Sequence, residues 1–124
     1  MLVLDAGALL AVERGDRDVI ALVKRERLAG RLPVTHGGVV GQAWRGGSRP
    51  ALLARLLPGL DVQPLGEALG RRAGQLLATT KTTDVIDAAV ALLAGDGDEL
   101  VTSDPKDMRR LVRATGAHVD IIEV

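Results

Sequence analysis

The chain has no cysteine, no phenylalanine and no tyrosine, and Trp44 is the only aromatic among its 124 residues. Without cysteine there are no disulfides, no thiolate zinc centres and no cysteine nucleophile. Without aromatics there is no stacking platform of the kind on which RRM- and OB-type binders hold bases. Two histidines, His36 and His118, are too few for a three-histidine zinc site. Lysine plus arginine and aspartate plus glutamate are both 16, so the net charge is zero and exerts no long-range pull on nucleic acid or membrane. No segment approaches the roughly 20 uninterrupted apolar residues of a membrane span. The N-terminus lacks a basic region, and Asp5 interrupts its short apolar run, so no signal peptide and a cytoplasmic protein are expected.

What is present is a globular composition, 47% apolar and 26% charged, at a length that makes residues 1–124 one domain. The chemistry must come mainly from carboxylates, hydroxyls, amides and arginines.

Short apolar segments alternate with helical ones. Strands are expected at Met1 to Asp5, Leu32 to Thr35, Leu60 to Gln63, Glu99 to Thr102 and His118 to Ile122. Helices are expected from Ala6 to Arg14, from an Asp16 cap to Ala29 with Gly30 as the stop, and from Val39 to Arg45. In the second of these, Val19, Ile20, Leu22, Val23 and Leu28 supply the apolar positions and Lys24 to Arg27 the wet face. Ser48 reads as a cap for a helix with Pro50 in its first turn, ending near Leu57. Further helices follow at Pro64 to Thr79, Asp84 to Ala94 and Pro105 to Thr115. Strands that are apolar throughout belong to a parallel sheet covered on both faces, giving a three-layer α/β/α domain with about five strands. Ligands of such sheets sit outside the carboxyl ends of the strands, where the strand order switches direction.

Carboxylates fall at that end. Asp5 closes the first strand, Asp104 follows Val101-Thr-Ser, and Asp84 opens a helix after a threonine-rich loop. Asp84 with Asp87, and Asp104 with Asp107, are doubled at i, i+3, a spacing that puts both side chains on one helix face. Asp84 and Asp104 are equally good helix caps, and Asp104-Pro105 is a favourable helix start. Asp5 has the structural alternative of pairing with an arginine or capping the next helix, but a charge directly after Leu2-Val3-Leu4 is costly to bury alone. Two carboxylates ~4 Å apart repel by about 4 kcal/mol at an effective dielectric of 20. A gathered set therefore needs shifted pKa values or a divalent cation. Oxygen ligands favour Mg²⁺ or Mn²⁺, whose chemistry suits phosphodiester hydrolysis.

Competing motifs are missing: there is no phosphate-loop signature and no G-x-G-x-x-G after the first strand. Leu4-Asp-Ala-Gly-Ala8 lacks the second aspartate of a haloacid-dehalogenase-type phosphatase. Lys81 alone does not make a response-regulator receiver.

Val3-Leu-Asp-Ala-Gly-Ala-Leu-Leu10, Asp84-Val-Ile-Asp-Ala-Ala-Val-Ala91 and Val101-Thr-Ser-Asp-Pro-Lys-Asp107, in this order over nearly the whole chain, resemble the PIN-domain nucleases, which include the VapC toxins of toxin–antitoxin pairs. The resemblance implies a Mg²⁺- or Mn²⁺-dependent endoribonuclease on a five-stranded parallel sheet, usually a homodimer and often silenced by an antitoxin protein. By position it makes Asp5, Asp84 and Asp104 the acidic ligands, with Asp87 competing for the place of Asp84, Asp107 in support and Thr102 bonded to the site. Asp84 is the better match because the alanine seven residues later falls at Ala91. Where the family has a glutamate in the helix after the second strand, this chain has Gln42, which can orient water or metal but adds no negative charge. That departure keeps a second expectation open, a catalytically weak PIN-like module that binds a protein or RNA. Arg45, Arg49, Lys106 and Arg109 are the candidates for RNA phosphates, with a solvated helix face as the alternative. Trp44 is expected to be packed inside or at a dimer contact.

Overall fold

The computed structural model describes all 124 residues. Five strands, β1 Leu2–Leu4, β2 Val34–His36, β3 Asp61–Gln63, β4 Glu99–Thr102 and β5 Asp120–Glu123, alternate with seven helices. These are α1 Ala6–Glu13, α2 Arg17–Leu28, α3 Gly37–Gly46, α4 Pro50–Leu56, α5 Glu67–Thr80, α6 Val85–Leu93 and α7 Pro105–Thr115. All strand pairs are parallel, in the order β3-β2-β1-β4-β5, with Val3 opposite Val34 on one side and Leu100 on the other.

β1 is central, and all three of its residues are fully buried, as an apolar strand covered on both faces must be. The edge strands β3 and β5 carry the exposed residues Val62, Asp120 and Glu123. Helices α1 to α4 pack together on one face of the sheet and α5 to α7 on the other. The domain is thus a three-layer α/β/α sandwich. α6 buries Ala88, Ala89, Val90 and Ala91 completely, and these small side chains let its axis lie close to β1 and β2.

From β1 the chain moves outward to β2 and β3, then returns to β4 and moves the other way to β5. The strand order therefore reverses between β1 and β4, and the crevice at their carboxyl ends is where this architecture receives ligands. No helix is long and apolar enough to cross a membrane.

Several local expectations are corrected. Ser48 does not cap α4: Arg49 holds the cap position without a side-chain bond, and the Ser48 N–H instead donates to Glu13 at 3.1 Å. α5 begins at Glu67, because Pro64 and Leu65 first carry the chain out of β3. β2 begins at Val34 and includes His36, leaving Leu32 exposed. On α2, Glu26 is buried, held by Arg31 through bonds of 3.1 and 3.0 Å, whereas Leu28 is 89% exposed. Trp44 is 45% exposed on α3, so it is not a core residue.

Candidate functional site

The first residue beyond β1 is Asp5. It is buried and serves as the N-cap of α1, with the Ala8 N–H donating to Oδ1 at 2.9 Å. The Ser103 N–H, just beyond β4, donates to Oδ2 at 3.3 Å. Both oxygens are therefore held by backbone amides, one from the first turn of α1 and one from the loop that leaves β4 across the switch point. The Thr102 hydroxyl also hydrogen-bonds Asp5, and its oxygen accepts the Asp104 N–H at 2.9 Å, which links the two strand-end aspartates. On the other side, Thr35 of β2 donates its hydroxyl to the Leu4 carbonyl at 2.8 Å, fixing the backbone from which Asp5 emerges. Gly7 makes this junction possible, since a Cβ there would lie 2.5 Å from Ser103 Cβ.

Asp84 and Asp104 are exposed N-caps of α6 and α7, and each accepts from the amide three residues on, Asp87 N–H at 3.0 Å and Asp107 N–H at 3.4 Å. The capping alternative thus holds for all three aspartates, and capping leaves Asp84 and Asp104 each with a second oxygen. Asp87 caps nothing. It is half-buried in the first turn of α6, and its pKa is pushed up to about 7 by burial, then by the negative charges of Asp84, Asp5, Asp104 and Asp107. Burial also raises the pKa of Asp5, against the lowering effect of its hydrogen bonds to Thr102, Ala8, Ser103 and Gly7. None of the molecule's four ion pairs involves any of these five aspartates. Folding has gathered like charge at the switch point with no Lys or Arg paired to it.

A hard divalent cation fits this donor chemistry: oxygen-only, negatively charged and unneutralised by protein cations. The fit is one of field more than of finished coordination, since no three Asp, Glu, His or Cys side chains stand together in ligand geometry.

The remaining predicted residues divide. Lys106 and Arg109 are exposed on α7 and, with Asp107, Arg110 and Arg113, line a cleft of about 460 Å³. Gln42 and Arg45 are exposed on α3 beside Gly46, lining a separate hollow, and Arg49 is exposed at the start of α4. Sequence reasoning gave His36 no part in the site, yet it is completely buried at the end of β2. Its Nδ1 accepts the Gly38 N–H at 3.1 Å, which makes Nε2 the protonated nitrogen, donating to the Ile86 carbonyl of α6 at 3.0 Å. Burial lowers its pKa, so the ring is neutral. A histidine ending a strand and followed by Gly37-Gly38 was the available signal, but its second partner lies 50 residues away. No protein-family model matches the chain, and no curated protein matches it.

Proposed function

We propose that the protein is a metal-dependent endoribonuclease of the PIN type, hydrolysing RNA phosphodiester bonds with Mg²⁺ or Mn²⁺. The observation that carries this reading is Asp87, held at a pKa of about 7 by burial and then by the charges of four other aspartates at the switch point of a parallel sheet. Such repulsion is a standing cost to folding unless something positive relieves it. Asp5, Asp84, Asp87, Asp104 and Asp107 would hold the cation. When bound, it supplies Lewis-acid polarisation of the phosphoryl oxygen and a water of lowered pKa.

The chain's own contributions are orientation and proton handling. Asp5 is locked by the amides of Ala8 and Ser103, so its free lone pairs keep a fixed direction. With the repulsion that protonates it offset by a bound cation, Asp87 would keep its carboxylate ionised and able to take a proton from an attacking water. Lys106 and Arg109 would meet the phosphates of the strand leading away from the cut, in the cleft shared with Asp107. The biological setting we propose is a cytoplasmic toxin, active as a homodimer and restrained by an antitoxin protein; the motif resemblance supports this part.

The test is incubation of purified protein with structured RNA in Mn²⁺ or in chelator. Cleavage that needs the metal and disappears in Asp5→Asn supports the enzyme. A specific observation favours a second reading, binding without cleavage: Gln42 is exposed on α3 and adds no charge to the aspartates. RNA bound but left intact with every divalent ion would favour it.

A further inference from the structure

We propose that His36 is a positioning residue for the acidic site, tying the first turn of α6, which carries Asp84 and Asp87, to the end of β2. The proposal rests on the nuclease reading for its consequence but on geometry for its substance. As the N-cap of α3, His36 needs only an acceptor for the Gly38 N–H, a task that Ser, Thr, Asp or Asn would perform. Capping explains Nδ1 and leaves Nε2 unexplained.

That nitrogen reaches across to Ile86, which directly precedes Asp87 on the N-terminal turn of α6. A carbonyl there already has its helical i+4 amide as a partner, so the imidazole bond is not needed to satisfy the backbone. What it adds is a fixed distance between two elements. The packing agrees, because a Cβ on Gly38 would lie 2.5 Å from Ile86 Cδ1 and 3.0 Å from His36 Cε1. The start of α3, the imidazole and the Ile86 side chain of α6 thus stand in close contact. With the ring fully buried and both nitrogens engaged, a slide of α6 along the sheet breaks a bond that water cannot replace. Asp5 is anchored to the neighbouring strand, so the spacing between Asp5 and the Asp84–Asp87 pair is the quantity His36 controls.

Two substitutions separate the roles of the ring nitrogens. His36→Asn keeps an acceptor for Gly38 but cannot reach Ile86, whereas His36→Gln keeps a donor for Ile86 at the expense of the cap. In metal-free protein, amide exchange at Asp87 and Ala88, measured relative to β4, is expected to quicken by about tenfold in His36→Asn and to stay near wild type in His36→Gln. Mn²⁺ affinity is expected to fall by about tenfold in His36→Asn only. Unchanged exchange in His36→Asn, or equal loosening in both variants, overturns the proposal. If wild type binds no Mn²⁺ while the exchange pattern holds, the nuclease reading falls and the positioning role stands. Should neither variant fold, the ¹⁵N spectrum of wild-type His36 decides: the Nε2–H tautomer is required, and an Nδ1–H or doubly protonated ring at neutral pH contradicts it.

Discussion

A carboxyl with a pKa of about 7 is half ionised at neutral pH, and Asp87 owes this first to burial, then to Asp84 on its own helix and to Asp5, Asp104 and Asp107 from distant parts of the chain. The consequence for stability has a definite sign. Between the ordinary 3.8 and about 7 the folded protein binds a proton at Asp87 that the unfolded chain releases, so Asp87 costs more stability as pH rises through that window and no more above it. Asp87→Asn is therefore expected to match wild type near pH 4 and to gain on it up to pH 7, by at least about 1 kcal/mol or roughly 4 °C in Tm. Urea unfolding at several pH values checks this, and a variant less stable than wild type at pH 8 would contradict it. His36 acts in the opposite direction, because burial lowers its pKa and the unfolded chain takes up the proton first. Its contribution is lost as pH falls below about 6.5, so the stability advantage of wild type over His36→Gln is expected to shrink between pH 7.5 and pH 5. Asp5 and Asp104 were legible in the sequence because strand ends can be read locally. The weight on Asp87 was not, since it depends on burial in the folded chain and on charges that include Asp5, 82 residues earlier at the end of β1. Glu26, placed on the wet face by helical periodicity, is buried because Arg31 folds back onto it from beyond the helix.

Helix starts organise the site at the next scale. α1, α6 and α7 each open on an aspartate that caps the helix, so the local signal for a helix start and the signal for an acidic site fall on the same residues. Sequence alone could not separate the two meanings, and the structure gives Asp5, Asp84 and Asp104 the first while bringing their charges to bear on Asp87. Helix extents were mostly legible from caps and stops: Asp16 caps α2, and Gly116 ends α7 in the left-handed conformation that glycine adopts freely. Ser48 misled because Glu13, 35 residues earlier, takes its amide. The contact of α1 with the loop after β4 passes through Gly7. Gly7→Ala is expected to cost about 2 kcal/mol by overpacking against Ser103, read as a lower urea midpoint with unchanged slope. A midpoint equal to wild type would show that the junction yields freely. On α7, replacing Lys106 and Arg109 together by alanine is expected to weaken RNA binding and to lower the slope of log K against log salt by about one per cation that meets a phosphate. An unchanged slope would return both residues to the role of a solvated face.

At the scale of the molecule, alternation of short apolar segments with helices was sufficient to read a three-layer sandwich with a parallel sheet, because parallel strands need covering on both faces. The strand order was not legible in that way. It is set by which crossovers pack, and it decides that β1 and β4 stand side by side, bringing Asp5 within reach of the Ser103 amide 98 residues later. The closeness of Asp5 to the end of β4, where Asp104 follows, comes from that order. The most direct measurement is the melting temperature of wild type and Asp5→Asn across a Mn²⁺ titration in chelator-washed protein. A ligand of the folded state at 100 times its Kd stabilises by about 2.7 kcal/mol. Wild type is expected to rise steadily with log Mn²⁺ concentration while Asp5→Asn stays flat. No rise in wild type, or an equal rise in both, would contradict a cation site built on Asp5.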